Sequence, residues 1–117
     1  MTDVTREELE QRLGDVALID VRTPAEYEGT AGYPCDPRQG HIAGARHVDL
    51  ATLVERDPDE VRALVGLPEG AELVVYCHSG SRSGIAAQIL QAAGYEARNY
   101  VGSWHEWSRD EHLPAER

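Results

Sequence analysis

The sequence has 117 residues, and its 21 acidic and 11 basic side chains give a net charge of −10. This length predicts one domain over residues 1–117, and the 41% hydrophobic fraction excludes a disordered chain. The acidic excess argues against a nucleic acid partner, and no apolar run approaches the roughly 20 residues that span a membrane.

Helix and strand signals alternate in the first half of the chain. Thr5 stands three residues before a glutamate, a spacing that predicts a capped helix over residues 5–13. The apolar residues 16–19 predict a short strand buried on both faces. A surface loop rich in glycine and proline is expected over residues 29–40, and a further short strand at residues 46–48.

The second half repeats this alternation. An aspartate followed by a proline opens a predicted helix over residues 57–66, and residues 73–76 form the clearest buried strand. A helical stretch comes next, then a predicted strand at residues 97–101 and a short helix capped by Ser103 or Ser108. Strands alternating with helices predict a parallel sheet that is covered on both faces.

Ligands of such sheets bind beyond the carboxyl ends of the strands. Asp20 and Arg22 follow the first predicted strand, and Cys77 directly follows the strand at residues 73–76. We therefore expect the functional site at this edge of the sheet.

Cys77 stands between a buried strand and a helix start, which is a favourable place for a nucleophile. The amides of residues 78–83 can converge on its sulfur, and the helix and Arg82 add positive charge. Such settings lower a thiol pKa from about 8.5 to roughly 3.5–7.5, so a thiolate is predicted. A structural cysteine is the alternative, which the neighbouring polar residues disfavour. Gly80 permits a tight turn, and three small donors can bind an anion: Ser79, Ser81 and Ser83.

Residues 77–82 resemble the Cys-x-x-Gly-x-Arg active loop of rhodanese-type sulfurtransferases, and the likeness extends over most of the chain. Residues 20–22 resemble the Asp-x-Arg of the family, and residues 40–45 its Gly-His-Ile-x-Gly-Ala signature. Residues 27–40 and 102–107 are similar to the catalytic half of tandem-domain sulfurtransferases. The resemblance implies a rhodanese-like α/β fold, with a parallel five-stranded sheet flanked by helices on both faces.

The resemblance also implies a reaction. The Cys77 thiolate takes the outer sulfur of a donor such as thiosulfate, becomes a persulfide and releases sulfite. A thiol, cyanide or an acceptor protein then removes that sulfur. No metal and no organic cofactor are required, and a covalent intermediate predicts ping-pong kinetics.

Donor choice follows from the charged residues. Arg82 is placed to contact an anionic donor, and the loop differs from the Gly-Val-Thr type of mercaptopyruvate enzymes, so thiosulfate is expected. Arg22 matches an arginine near the active site of the family, and either binds the donor or serves in structural pairing. Just before Tyr27, where tandem enzymes carry a second anion-binding arginine, this chain has Glu26, which argues against tight thiosulfate binding.

Supporting roles are expected for several other residues. Asp20 organises the loop behind the site, His41 makes structural hydrogen bonds, and Trp104 packs in the core or the pocket wall. His78 is either a proton donor or, as the simpler interpretation, an exposed loop residue. Cys35 is interpreted as a bystander in an exposed loop, with a resolving thiol for the active-site cysteine as the alternative.

Two other function classes compete with the sulfurtransferase. Cysteine-dependent phosphatases and arsenate reductases need a Cys-x5-Arg loop, whereas Arg82 comes one place too early. A non-catalytic sulfur-binding or regulatory module of the same family usually lacks the cysteine, which this chain keeps at Cys77. No export leader opens the sequence, so we expect a cytoplasmic thiosulfate sulfurtransferase.

Overall fold

The structure is a computed structural model that describes residues 2–117. Its strands are short, as their apolar runs predict. In chain order they are β1 (Ala17–Asp20), β2 (His41–Ile42), β3 (Arg46–His47), β4 (Glu72–Tyr76), β5 (Glu96–Asn99) and β6 (Ala115–Glu116).

Four of these strands form a parallel sheet in the order β3-β1-β4-β5, so the expected fifth strand is absent from the described residues. Next to β5 there is only one isolated parallel bridge, between Val4 and Tyr100, because the first helix begins two residues after Val4. The remaining strands, β2 and β6, pair antiparallel in a separate sheet.

The central strands β1 and β4 are paired from Ala17–Leu73 to Asp20–Tyr76, which places both carboxyl ends at one edge. The helices are α1 (Arg6–Arg12), α2 (Pro24–Glu28), α3 (Leu50–Leu53), α4 (Pro58–Val65), α5 (Ser81–Ala92) and α6 (Ser103–Trp107).

Helix caps explain several of these boundaries. Asp57 and Glu60 form the complete capping box that starts α4. At α1 only half of the box forms: Thr5 accepts from the amide of Glu8, whose carboxylate binds Arg98 instead.

Four elements were not predicted: the helices α2 and α3 and the strands β2 and β6. A signal for α2 was present, because Thr23 and Glu26 form a capping box with a proline between them. Neither Ser103 nor Ser108 caps the final helix. Ser103 is the first residue of α6, and Gly102 occupies the cap position without a side-chain hydrogen bond.

Helices cover both faces of the parallel sheet. One apolar cluster includes Leu53, Val61 and Leu90 from α3, α4 and α5, and the other includes Leu9 and Trp104 from α1 and α6. Burying each such side chain contributes about 1.5–3 kcal/mol. Among residues 2–117, no helix has the length and apolar character needed to cross a bilayer.

The loop between α2 and β2 is fastened to the C-terminal segment by Arg38. Trp104 Nε1 donates to the carbonyl of Arg38 at 3.1 Å. The Arg38 guanidinium itself donates to four backbone carbonyls at 2.8–3.1 Å, those of Trp107, Ser108, Asp110 and Leu113.

Replacing Arg38 by lysine should destabilise the protein by about 1–3 kcal/mol, since an ammonium group cannot reproduce the planar array of donors. Urea denaturation measures this change. The matched control is Arg46→Lys on β3, because Arg46 is exposed and has no side-chain hydrogen bond within residues 2–117. Equal losses of stability in the two variants would contradict the role assigned to Arg38.

Candidate active site

The sulfur of Cys77 lies at the carboxyl end of β4, in the turn that leads into α5. Cys77 is only 1% exposed, so its thiol is covered. The amide of Gly80 donates to Sγ at 3.1 Å, and the hydroxyl of Ser83 donates at 3.3 Å. The site is therefore a closed turn in which donors point at one sulfur atom.

Burial raises the pKa of Cys77, since it disfavours the charged thiolate. The Ser83 hydroxyl and the amides of Ser83, Gly80 and Ser79 act in the opposite direction and bring the pKa below its ordinary value. The direction agrees with the thiolate that the sequence predicts. Donors from within the loop, and not solvent, stabilise the ionised sulfur.

The first turn of α6 holds the other side of the loop. The amide of Cys77 donates to Ser103 Oγ at 3.1 Å, and the amide of Trp104 donates to the carbonyl of Cys77 at 3.0 Å. The amide of His105 donates to the carbonyl of His78 at 2.9 Å. Sequence analysis considered Ser103 only as a helix cap and missed this contact, which joins residues far apart in the chain.

Gly80 cannot be replaced without moving the loop. Its φ of +96° lies in the left-handed region, and a Cβ would stand 2.7 Å from the carbonyl oxygen of Val101. Asn99 Nδ2 also donates to the carbonyl of Gly80 at 3.0 Å. The glycine thus keeps its amide directed at the sulfur.

Arg82 lies on α5 and is paired with Glu26 of α2. Its two terminal nitrogens contact the two carboxylate oxygens at 2.8 and 3.1 Å. Burial raises the pKa of Glu26, but hydrogen bonds from Arg82 and Thr23 outweigh burial and bring the pKa to about 2. The carboxylate is therefore ionised near neutral pH, and the arginine predicted to meet a donor already has an anionic partner.

A depression of about 240 Å³ is lined by Glu26, Gly32, Tyr33 and Arg82. Cys77 does not line this depression, although Arg82, which does, belongs to the same loop as Cys77. On the same loop, Ser79 and Ser81 are exposed.

Asp20 and Arg22 form a pair that is almost fully buried, at 0% and 1% exposure. Arg22 Nη2 lies 2.7 Å from Asp20 Oδ2 and also donates to the carbonyl of Gly40 at 2.5 Å. Its guanidinium stands 5.3 Å from the ring centre of Trp104. This placement joins β1, the loop before β2 and α6, and corresponds to the structural pairing considered from sequence.

The side chains of His41 and Trp104 are both buried, and each contacts a backbone carbonyl oxygen. His41 Nδ1 lies 2.7 Å from the carbonyl of Tyr27, and the two rings stack at 3.7 Å. Trp104 is fully buried against the sheet. Neither contacts the sulfur through a hydrogen bond.

His78 is not an exposed loop residue, because it is only 8% exposed. Its ring stacks on Tyr33 at 3.7 Å, and Nε2 lies 2.9 Å from Asp36 Oδ2. Burial lowers the pKa of His78 more than the charge of Asp36 raises it. Asp36 also pairs with Arg109 at 2.9 Å, whereas Cys35 beside it is exposed. Sequence analysis assigned Asp36 no contact.

Comparison with known proteins identifies the family. Residues 5–110 match the model of the rhodanese-like domain. A thiosulfate sulfurtransferase of Pseudomonas aeruginosa is 33% identical over 96% of this chain and 45% of its own length. The sulfur carrier protein TtuD of Thermus thermophilus is 36% identical over 90% of this chain and 42% of its own length.

A solved structure described as a probable thiosulfate sulfurtransferase is 40% identical and superposes with a TM-score of 0.86, covering 98% of this chain and 47% of that one. The chain thus spans about half the length of these relatives. The uncharacterised protein YqhL of Bacillus subtilis is 35% identical over 92% of this chain and 72% of its own length. Together with the fold and the loop at Cys77, these matches place the chain in the rhodanese-like domain family, whose model covers nearly all of it.

Proposed function

We propose that this domain is a sulfurtransferase that carries a sulfane sulfur on Cys77. The observation that supports this most directly is the sulfur itself, which accepts from the Gly80 amide and the Ser83 hydroxyl at the end of β4. The donors that lower the pKa of the thiol are suited to hold a persulfide anion as well. Relatives named as thiosulfate sulfurtransferases support the same reaction class.

The proposed transfer has two steps. In the first, the Cys77 thiolate attacks the outer sulfur of thiosulfate and forms a new sulfur–sulfur bond. The sulfur–sulfur bond of thiosulfate breaks, and the electron pair of that bond leaves with sulfite. In the second, a thiol or cyanide attacks the terminal sulfur of the persulfide, and Cys77 regains its thiolate. The covalent intermediate divides one difficult transfer into two easier ones.

The donor must reach a covered sulfur. The depression lined by Glu26, Gly32, Tyr33 and Arg82 lies on the side of the loop that carries Arg82, and we propose it as the entrance. Tyr33 is 46% exposed at this surface. In this proposal the Arg82 side chain moves to expose Sγ, while the loop backbone stays in place.

We propose that an acceptor thiol on another protein reaches the sulfur through the same entrance. The relative named as a sulfur carrier protein supports an acceptor of this kind. Thiosulfate and cyanide are the simplest donor and acceptor for an assay.

Glu26 disfavours a dianionic donor in this proposal. Its carboxylate is ionised and bound to Arg82 through both oxygens, so it offsets the charge that would attract thiosulfate. The net charge of −10 adds repulsion over distances shorter than the screening length of about 8–10 Å. Donors with a single charge therefore suit the site better.

Incubation of the wild-type protein with thiosulfate should add one sulfur atom, detected by intact mass and mapped to the peptide that contains Cys77. Cys77→Ser should gain none and should form no thiocyanate from thiosulfate and cyanide, while keeping its circular dichroism spectrum. A serine variant that still forms thiocyanate would overturn the persulfide mechanism.

Ser83→Ala should slow alkylation of Cys77 by iodoacetamide about tenfold near neutral pH, because loss of the hydroxyl donor raises the pKa of the thiol. Well above the ordinary thiol pKa of about 8.5, both proteins are ionised and the difference should disappear. Exposed Cys35, alkylated in the same metal-free samples, is the internal reference. Equal rates at neutral pH would show that Ser83 does not stabilise the thiolate.

Glu26→Gln should lower the KM for thiosulfate on the order of tenfold, because it removes one negative charge and frees Arg82. The KM for a monoanionic thiosulfonate donor should change much less. Glu28→Gln is the matched control, since Glu28 lies exposed at the end of the same helix. If both variants change the thiosulfate KM equally, the effect comes from net charge and not from the Arg82 pair.

A further inference from the structure

A second cluster of reactive side chains lies beside the active-site loop. It brings together Cys35 and Asp36 from the loop before β2, His78 from the turn after β4, and His105 from α6. One ligand atom from each lies within 4.8 Å of all the others. Cys77 is not among them, so the cluster is separate from the reactive sulfur.

Two atoms of this cluster are buried without a hydrogen bond. The side chain of Asp36 is 1% exposed and that of His78 is 10% exposed. Asp36 Oδ2 and His78 Nε2 have no hydrogen-bond partner of acceptable geometry within residues 2–117, although they lie 2.9 Å apart. At 2.9 Å the two atoms contact each other as an acid–histidine pair. Bound to one cation, each would supply one lone pair, and their separation would widen to about 3.3 Å.

The spacing fits a small tetrahedral ion. Zinc bonds of about 2.0–2.3 Å place neighbouring ligand atoms roughly 3.3–3.7 Å apart. The carboxylate of Asp36 approaches the other two ligands through its second oxygen, Oδ1, which lies 3.8 Å from His105 Nδ1 and 3.9 Å from Cys35 Sγ. Side-chain movements of about 1 Å, which widen the 2.9 Å between Asp36 Oδ2 and His78 Nε2 and shorten the other two distances, bring four such ligands around one ion.

Arg109 supports this arrangement from outside. Its Nη1 donates to Asp36 Oδ1 at 2.9 Å, and its Nη2 donates to the carbonyl of Cys35 at 3.1 Å. Oδ2 of Asp36, which lies 2.9 Å from His78 Nε2 and is not bound by Arg109, is the oxygen that would bind the ion. Hydrogen bonds of this kind orient the carboxylate ligands of metal sites.

We propose that Cys35, Asp36, His78 and His105 form a binding site for Zn²⁺. One thiolate, two imidazoles and one carboxylate are a donor set that zinc prefers over the hard cations Mg²⁺ and Ca²⁺. Four protein ligands leave no open position, so the ion is structural. It ties the loop before β2 and helix α6 to the turn that carries Cys77, and it takes no part in the proposed sulfur transfer.

The test uses the reduced full chain freed of metal with a chelator. Isothermal titration with Zn²⁺ should give one site per chain, and Co²⁺ in its place should show a thiolate-to-cobalt absorption band. Cys35→Ser should abolish that band, whereas Cys77→Ser should retain it. His105→Gln should weaken Zn²⁺ binding at least tenfold, whereas His112→Gln, at another exposed histidine, should leave it unchanged.

Cys35 and His105 are both exposed, so their substitution leaves the core intact. Absence of stoichiometric Zn²⁺ binding by the wild-type chain would overturn the proposal. So would a cobalt band that disappears in Cys77→Ser and persists in Cys35→Ser, because the ion would then bind the reactive sulfur. Neither result would bear on persulfide formation, which is measured separately by mass.

Discussion

The site depends on the hydrogen bonds that reach a sulfur atom enclosed by protein. Removing a thiolate from water is costly unless nearby donors replace the lost solvation. Here Gly80 and Ser83 supply them, and the left-handed backbone of Gly80 sets the direction of its amide. β4 is an interior strand of the sheet, and α6 binds the other side of the turn. The positions of these amide and hydroxyl groups are therefore fixed before a sulfur-donating substrate binds.

Buried carboxylates around the site each have a cationic partner. Asp20 binds Arg22, Glu26 binds Arg82 and Asp36 binds Arg109. Removing one member of such a pair leaves an uncompensated charge, which costs more than the pair contributes when intact. These pairs therefore specify how three segments assemble around the sheet: helix α2, the loop before β2, and helix α6. Although the net charge is −10, each of these three acids has a basic partner in contact with it.

Sequence patterns predicted the parts of this structure that depend on neighbours in the chain. The cap at Asp57, the buried strand before Cys77 and the turn into α5 all follow from residues within one or two turns. The partner of Arg82 is 56 positions away, and no local pattern indicates that Glu26 reaches it. The fifth strand was implied by the family resemblance and not by a local pattern; Val4 forms only a single bridge, because α1 begins two residues after it.

The loop at Cys77 alone does not determine what the site accepts. Within this loop, His78 contacts the carboxylate of Asp36, and Arg82 contacts the carboxylate of Glu26. Both carboxylates come from the segment that precedes β2. That segment is far from the loop in sequence but covers it in the fold, so it sets the charge a donor meets while the loop sets the reactivity of the sulfur. A rhodanese-like domain that carried the same cysteine loop but lacked the carboxylates of Glu26 and Asp36 would present a more positive site to a sulfur donor.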